Sequence, residues 1–124
     1  MVDARSRWDG ALVGVAGLMG ATGVALGAAS AHLGGGDFAR LAAVFLLIHA
    51  AAVPGILAVP LGSLKLRRTA AALLCLGAVL FCGDLAMLGF TGHTPISGMA
   101  PAGGFLLIAG WLAVALAAVL RLGA

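Results

Sequence analysis

Four long apolar windows, residues 10–31, 40–61, 69–90 and 102–121, dictate what this chain can become. A helix rises 1.5 Å per residue, so crossing about 30 Å of hydrocarbon takes ~20 residues, the length of each window. Within lipid every backbone N–H and C=O must be satisfied inside the chain; helices achieve this, whereas an open sheet leaves its edges unpaired. With 63% hydrophobic and 9% charged residues, the chain cannot coat a globule of its size with a water-compatible surface. The sequence therefore predicts an all-α membrane protein of a single domain. The short connections Gly34-Gly35-Gly36-Asp37, Gly62–Arg68 and Thr91–Pro95 force sequential helices to run antiparallel, giving a four-transmembrane-helix bundle.

A cleavable leader is the competing reading of the first window, because Ala29-Ser30-Ala31 has the small-x-small form of a processing site. The apolar stretch from Gly10 to Ala31 exceeds the usual signal core, so a retained helix is expected. Orientation follows from the cations. Arg5, Arg7, Lys65, Arg67, Arg68 and Arg121 fall on one side of the bundle and only Arg40 on the other. By the positive-inside rule the N and C termini are expected in the cytoplasm, as in a multi-pass protein of a bacterial inner (plasma) membrane. The formal charge of +3 does not point to nucleic acid, since the cations sit at segment ends, where lipid headgroups bind them.

Well inside the windows only His49 and Asp84 are ionisable. His49 lies nine residues from the outer end of the second helix and Asp84 six from that of the third, so their depths differ by ~4–5 Å and they can meet. A carboxylate near mid-bilayer costs about 2.5–3.5 kcal/mol or more, which predicts an inward-facing, hydrogen-bonded or paired Asp84. His32, at the end of the first helix, and His93, in the last loop, are the next candidates for this intramembrane polar site. Pro54-Gly55 adds a kink: proline removes the amide that would bond the Ala50 carbonyl, leaving an acceptor beside His49. The bland reading is a buried hydrogen bond that fixes helix register; the functional one is a small polar pocket able to pass a proton or hold a headgroup.

Other chemistry is poorly represented. The three histidines and Asp84 have no close ligand spacing such as His-x-x-x-His, so neither a metal nor haem is expected. Gly34-Gly35-Gly36 follows a helix, not a strand, which argues against a phosphate loop. Cys75 and Cys82, ~10 Å apart along one helix, read as small apolar residues beyond disulfide reach. No catalytic residue or cofactor is expected, and the protein is read as a non-enzyme. Packing signals concentrate in the first helix, where Gly10, Gly14 and Gly17 mark one small-residue stripe and Gly20, Gly23, Gly27 and Ala31 another. One suits the bundle and the other a membrane-protein partner or second copy. Trp8 suits an interfacial anchor, whereas Trp111, near mid-span, suits packing between helices or against a partner.

Several of these residues carry a family resemblance. Gly27-Ala28-Ala29-Ser30-Ala31-His32-Leu33 resembles the Gly-Ala-x-Gly-Ala-His-Gly motif of the small membrane proteins grouped as domain of unknown function 423, related to the transmembrane protein 256 group. Ile48-His49-Ala50 resembles their Tyr-His-Ala, and Phe81-Cys82-Gly83-Asp84-Leu85 their Phe-Ser-Gly-Ser-Leu. Thr91-Gly92, Pro101-Ala102-Gly103-Gly104-Phe105 and Gly110-Trp111 resemble their closing Thr-Gly, Pro-x-Gly-Gly and Gly-Trp. The resemblance implies a compact four-span inner-membrane protein of unassigned activity. Asp84 in place of the usual Ser and Ile48 in place of Tyr make the surroundings of His49 more acidic and less aromatic than the pattern. Together these features favour a non-catalytic accessory or scaffold subunit. An oligomeric, proton-coupled small-solute transporter using Asp84 and His49 is the alternative, and quinone or lipid binding beside Trp111 a third.

Overall fold

The computed structural model describes residues 3–124 and contains α1 (Ala4–His32), α2 (Gly36–Ala58), α3 (Leu64–Thr91) and α4 (Met99–Leu122), with no strand among the described residues. All four helices are long and apolar enough to cross a membrane. They outrun or undershoot the apolar windows for local reasons. α1 starts six residues early because Asp3 caps it, accepting from the Ser6 amide at 2.7 Å. At 29 residues, or ~43 Å, it exceeds the hydrocarbon thickness. α2 stops at Ala58 and not at 61, because Pro60 drives the preceding Val59 into extended backbone (φ −78°, ψ 125°). The Arg67 side chain then donates to the released Leu57 carbonyl at 2.6 Å. Between α1 and α2, Gly34, Gly35 and Gly36 all have positive φ (98°, 90° and 59°), a turn that side-chain-bearing residues disfavour.

α3 is the centre of the bundle. It packs extensively on α2 and α4 and more lightly on α1, while α1 lies mainly against α2. Correspondingly, 44% of the apolar span of α3 is buried but only 17% of those of α1 and α4, so the flanking helices keep broad faces for lipid or protein. Ala39, Ala42, Ala70, Ala71 and Ala78 are fully buried, which shows how closely the backbones approach. Around them Met19, Leu46, Val53, Leu74, Leu85 and Leu107 form the apolar core.

Two close backbone contacts lie away from the glycine stripes of the first helix. A Cβ on Gly89 of α3 would lie 2.5 Å from the Gly35 carbonyl oxygen at the start of α2. The other contact joins α3 to α4: a Cβ on Gly103 would lie 2.5 Å from the Phe81 nitrogen, and one on Gly77 would lie 2.8 Å from the Leu107 nitrogen. Gly110 meets Leu74 in the same seam, at 2.7 Å from where its Cβ would stand. In α1 the two stripes separate. Gly20, Gly23 and Gly27 face Ala50, Leu47 and Ala43 of α2, whereas Gly10, Gly14 and Gly17 have nothing among the described residues within 4 Å of a Cβ position.

Candidate functional site

His49 is buried, and the helix geometry assigns both its ring nitrogens. Nδ1 lies 2.6 Å from the Phe45 carbonyl, one turn earlier on α2, and the Trp111 indole N–H of α4 reaches Nε2 at 3.2 Å. An indole N–H only donates and a carbonyl only accepts. The hydrogen therefore belongs on Nδ1, donating to Phe45, and the Nε2 lone pair accepts from Trp111, an assignment made from the hydrogen-bond network. Phe45 and Phe81 extend the cluster, their ring centroids 5.2 Å apart, with Phe45 5.8 Å from the His49 ring.

This bond crosses a cleft. α2 and α4 both lean on α3 but splay from one another, and the His49–Trp111 pair bridges the gap and divides it. Toward the start of both helices lies a cavity of about 590 Å³ lined by Phe45, Ile48, Phe81 and Ile108. Toward their ends lies one of about 260 Å³ lined by Ile56, Val59, Val114 and Ala117. Trp111 belongs to both walls. The surfaces are almost wholly apolar, so the arrangement suits the packing of hydrocarbon on either side of one polar latch.

The sequence expectation pairs His49 with Asp84, and the structure does not join them. His49 spends both nitrogens elsewhere, and Asp84, buried at 4% exposure on α3, has its Oδ1 without a hydrogen-bond partner among the described residues. The other two histidines stand apart. His32 is exposed at the end of α1, and His93 is exposed in the last loop, its Nδ1 2.9 Å from the Thr91 carbonyl. Among the described residues no three His, Cys, Asp or Glu side chains gather as a metal would require, and Cys75 and Cys82 are separate buried thiols. Pro54 lies within a continuous α2, exposed on its outer face. The Ala50 carbonyl it frees takes no part in the His49 bonds, which use the Phe45 carbonyl instead.

The missed partner was legible in principle. Trp111 lies nine residues into the fourth window and His49 nine into the second, and both windows run in the same direction, so the two share a depth. Phenylalanine at 111 would keep the ring and delete the N–H. Bilayer hydrogen bonds average about 0.6 kcal/mol and reach about 1.7, so Trp111→Phe is expected to lower stability by roughly that range. Unfolding in mixed micelles measures it; a loss well above this range would mean that the indole's bulk, not its N–H, holds the cleft.

At the opposite pole from His93, Arg68 of α3 grips Asp9 of α1 through Nε (2.6 Å) and Nη2 (3.0 Å), and Nη2 also donates to the Arg5 carbonyl. Both residues lie outside the apolar windows. The Arg68 hydrogen bond holds the Asp9 carboxyl below its ordinary pKa, against the opposing effect of desolvation.

Four apolar spans around a close-packed central helix, with a polar His49–Trp111 latch between α2 and α4, define a polytopic membrane protein of the small helical-bundle class. Residues 26–104 match the family described as protein of unknown function (DUF423), and the chain belongs to that family. The matched segment takes in His49, Asp84, Gly77 and Gly103; Gly110-Trp111 and the Gly10–Gly17 stripe lie beyond it. No curated protein and no solved structure matches the chain.

Proposed function

We propose that this protein is a non-catalytic accessory or scaffold subunit of a bacterial inner membrane, packing through α1 against a larger membrane complex or another copy of itself. One observation carries the reading: Gly10, Gly14 and Gly17 form a small-residue stripe that nothing else among the described residues covers. Membrane helices associate where small residues let backbones approach, and the companion stripe on α1 is already used in this way against α2. The shallow burial of α1 leaves that face available.

Two substitutions separate the stripes. Gly23→Leu drives a side chain into Leu47, whose Cγ stands 2.8 Å from the Cβ position, and should destabilise the isolated fold by about 1–3 kcal/mol. Gly14→Leu meets nothing and should leave that fold within about 0.5 kcal/mol of the parent. It should nevertheless shift the native mass of gently extracted protein from an assembly to a single chain. A parent protein that is already a lone monomer under gentle extraction would overturn the proposal.

The cleft between α2 and α4 supports a second reading, the binding of a quinone or lipid tail beside Trp111. Its support is the pair of apolar cavities flanking the His49–Trp111 bond. Non-protein density along Ile48, Ile108 and Trp111 in an experimental map is the observation to seek.

A further inference from the structure

A cleft of about 710 Å³ lies between α1 and α3 at the end of the bundle that carries both termini, away from the His49 site. Two matching helix faces build it. On α1 the order is Arg5, Trp8, Leu12; on α3 it is Lys65, Arg68, Ala72. Both helices begin at this end of the bundle, so each face descends from cation to apolar side chain over seven residues, a drop of ~10 Å into the membrane. That vertical order of charge, amphipathic rim and hydrocarbon is the order of a phospholipid's phosphate, ester region and acyl chain.

Charge is complementary as well. Arg68 is neutralised by Asp9, and Asp3 caps α1 nearby. Among the described residues Arg5 and Lys65 form no ion pair, which leaves two cations facing the cleft. The Arg68–Asp9 clamp and the Arg68 bond to the Arg5 carbonyl fix the α1 and α3 walls relative to each other. Trp8, 67% exposed, stands between the cations and Leu12, where indole rings favour the interface. Basic clefts between membrane helices are established headgroup sites in general. We infer that this cleft binds one anionic phospholipid, its phosphate between Arg5 and Lys65 and an acyl chain along Leu12 and Ala72.

Trp8 reports on the site once Trp111→Phe makes it the sole tryptophan. This protein is reconstituted in phosphatidylcholine vesicles containing a small fraction of phosphatidylglycerol, with brominated acyl chains placed on one lipid or the other. Brominated phosphatidylglycerol is expected to quench Trp8 well beyond its share of the bilayer, and an Arg5→Gln/Lys65→Gln pair should cut that enrichment by roughly fivefold per cation. Ala72→Phe, which fills an exposed wall and alters no charge, should abolish the enrichment while leaving helicity intact. Equal quenching by the two lipids overturns the proposal. So does enrichment that survives Ala72→Phe, which would mark diffuse attraction to the basic surface, or enrichment that inorganic phosphate in the buffer removes.

Discussion

Replacing Gly103 by alanine is expected to cost the bundle about 3 kcal/mol, near the top of the usual range for overpacking. The added methyl would lie 2.5 Å from the Phe81 nitrogen, 2.8 Å from the Gly77 carbonyl and 2.9 Å from the Phe81 Cα. All three are backbone atoms of α3, so no rotamer change relieves the contact. α4 must instead move outward by most of an ångström to reach ordinary van der Waals distance, which loosens the Gly77 and Gly110 contacts in the same seam. It also draws Trp111 from His49, whose bond spans α4 and α2. Gly10→Ala supplies the control within the same chain: nothing lies within 4 Å, so the change should be neutral or slightly favourable, because alanine suits a helix better by roughly 0.5–1 kcal/mol. Unfolding of both variants in mixed micelles gives the comparison. Equal stabilities would show that α3 and α4 are not in backbone contact at Gly103.

The spans were legible because lipid imposes a length, and a length can be counted from sequence. Their ends were less so: the capping of α1 by Asp3 and the early stop of α2 before Pro60 are local hydrogen-bonding and steric effects superposed on hydropathy. The α3–α4 seam stayed hidden because Gly77, Gly103 and Gly110 are spread over two helices, and only their mutual register makes them a contact. The stripes in α1, being contiguous, stood out. At the polar site, charge drew attention to Asp84 as the partner of His49. Depth favoured Trp111, and the helix-neighbour pattern decided the outcome: α4 carries its indole across to α2, while the Phe45 carbonyl occupies the remaining nitrogen.

That outcome leaves Asp84 exposed as an energetic oddity, and it fixes the second large effect. Asp84 is buried in the central helix with Oδ1 unpartnered, whereas aspartate at mid-bilayer costs about 2.5–3.5 kcal/mol even where partial relief is available. Asparagine has the same shape and removes the ionisable oxygen, though its amide still pays part of the desolvation cost, on the order of 1–2 kcal/mol. Asp84→Asn is therefore expected to stabilise the protein by roughly 0.5–2.5 kcal/mol, the difference of those two figures. Most buried substitutions destabilise, so a gain here is a specific outcome, read as a higher unfolding midpoint in mixed micelles. A loss of stability would mean that the carboxyl has a partner in the membrane after all, from lipid, water or a neighbouring subunit. A gain accompanied by loss of proton or solute flux in liposomes would favour the transport reading, in which the carboxyl is kept at the expense of stability because it carries the proton. A gain with nothing lost fits a scaffold, in which Asp84 contributes neither to the His49–Trp111 latch nor to the α3–α4 seam.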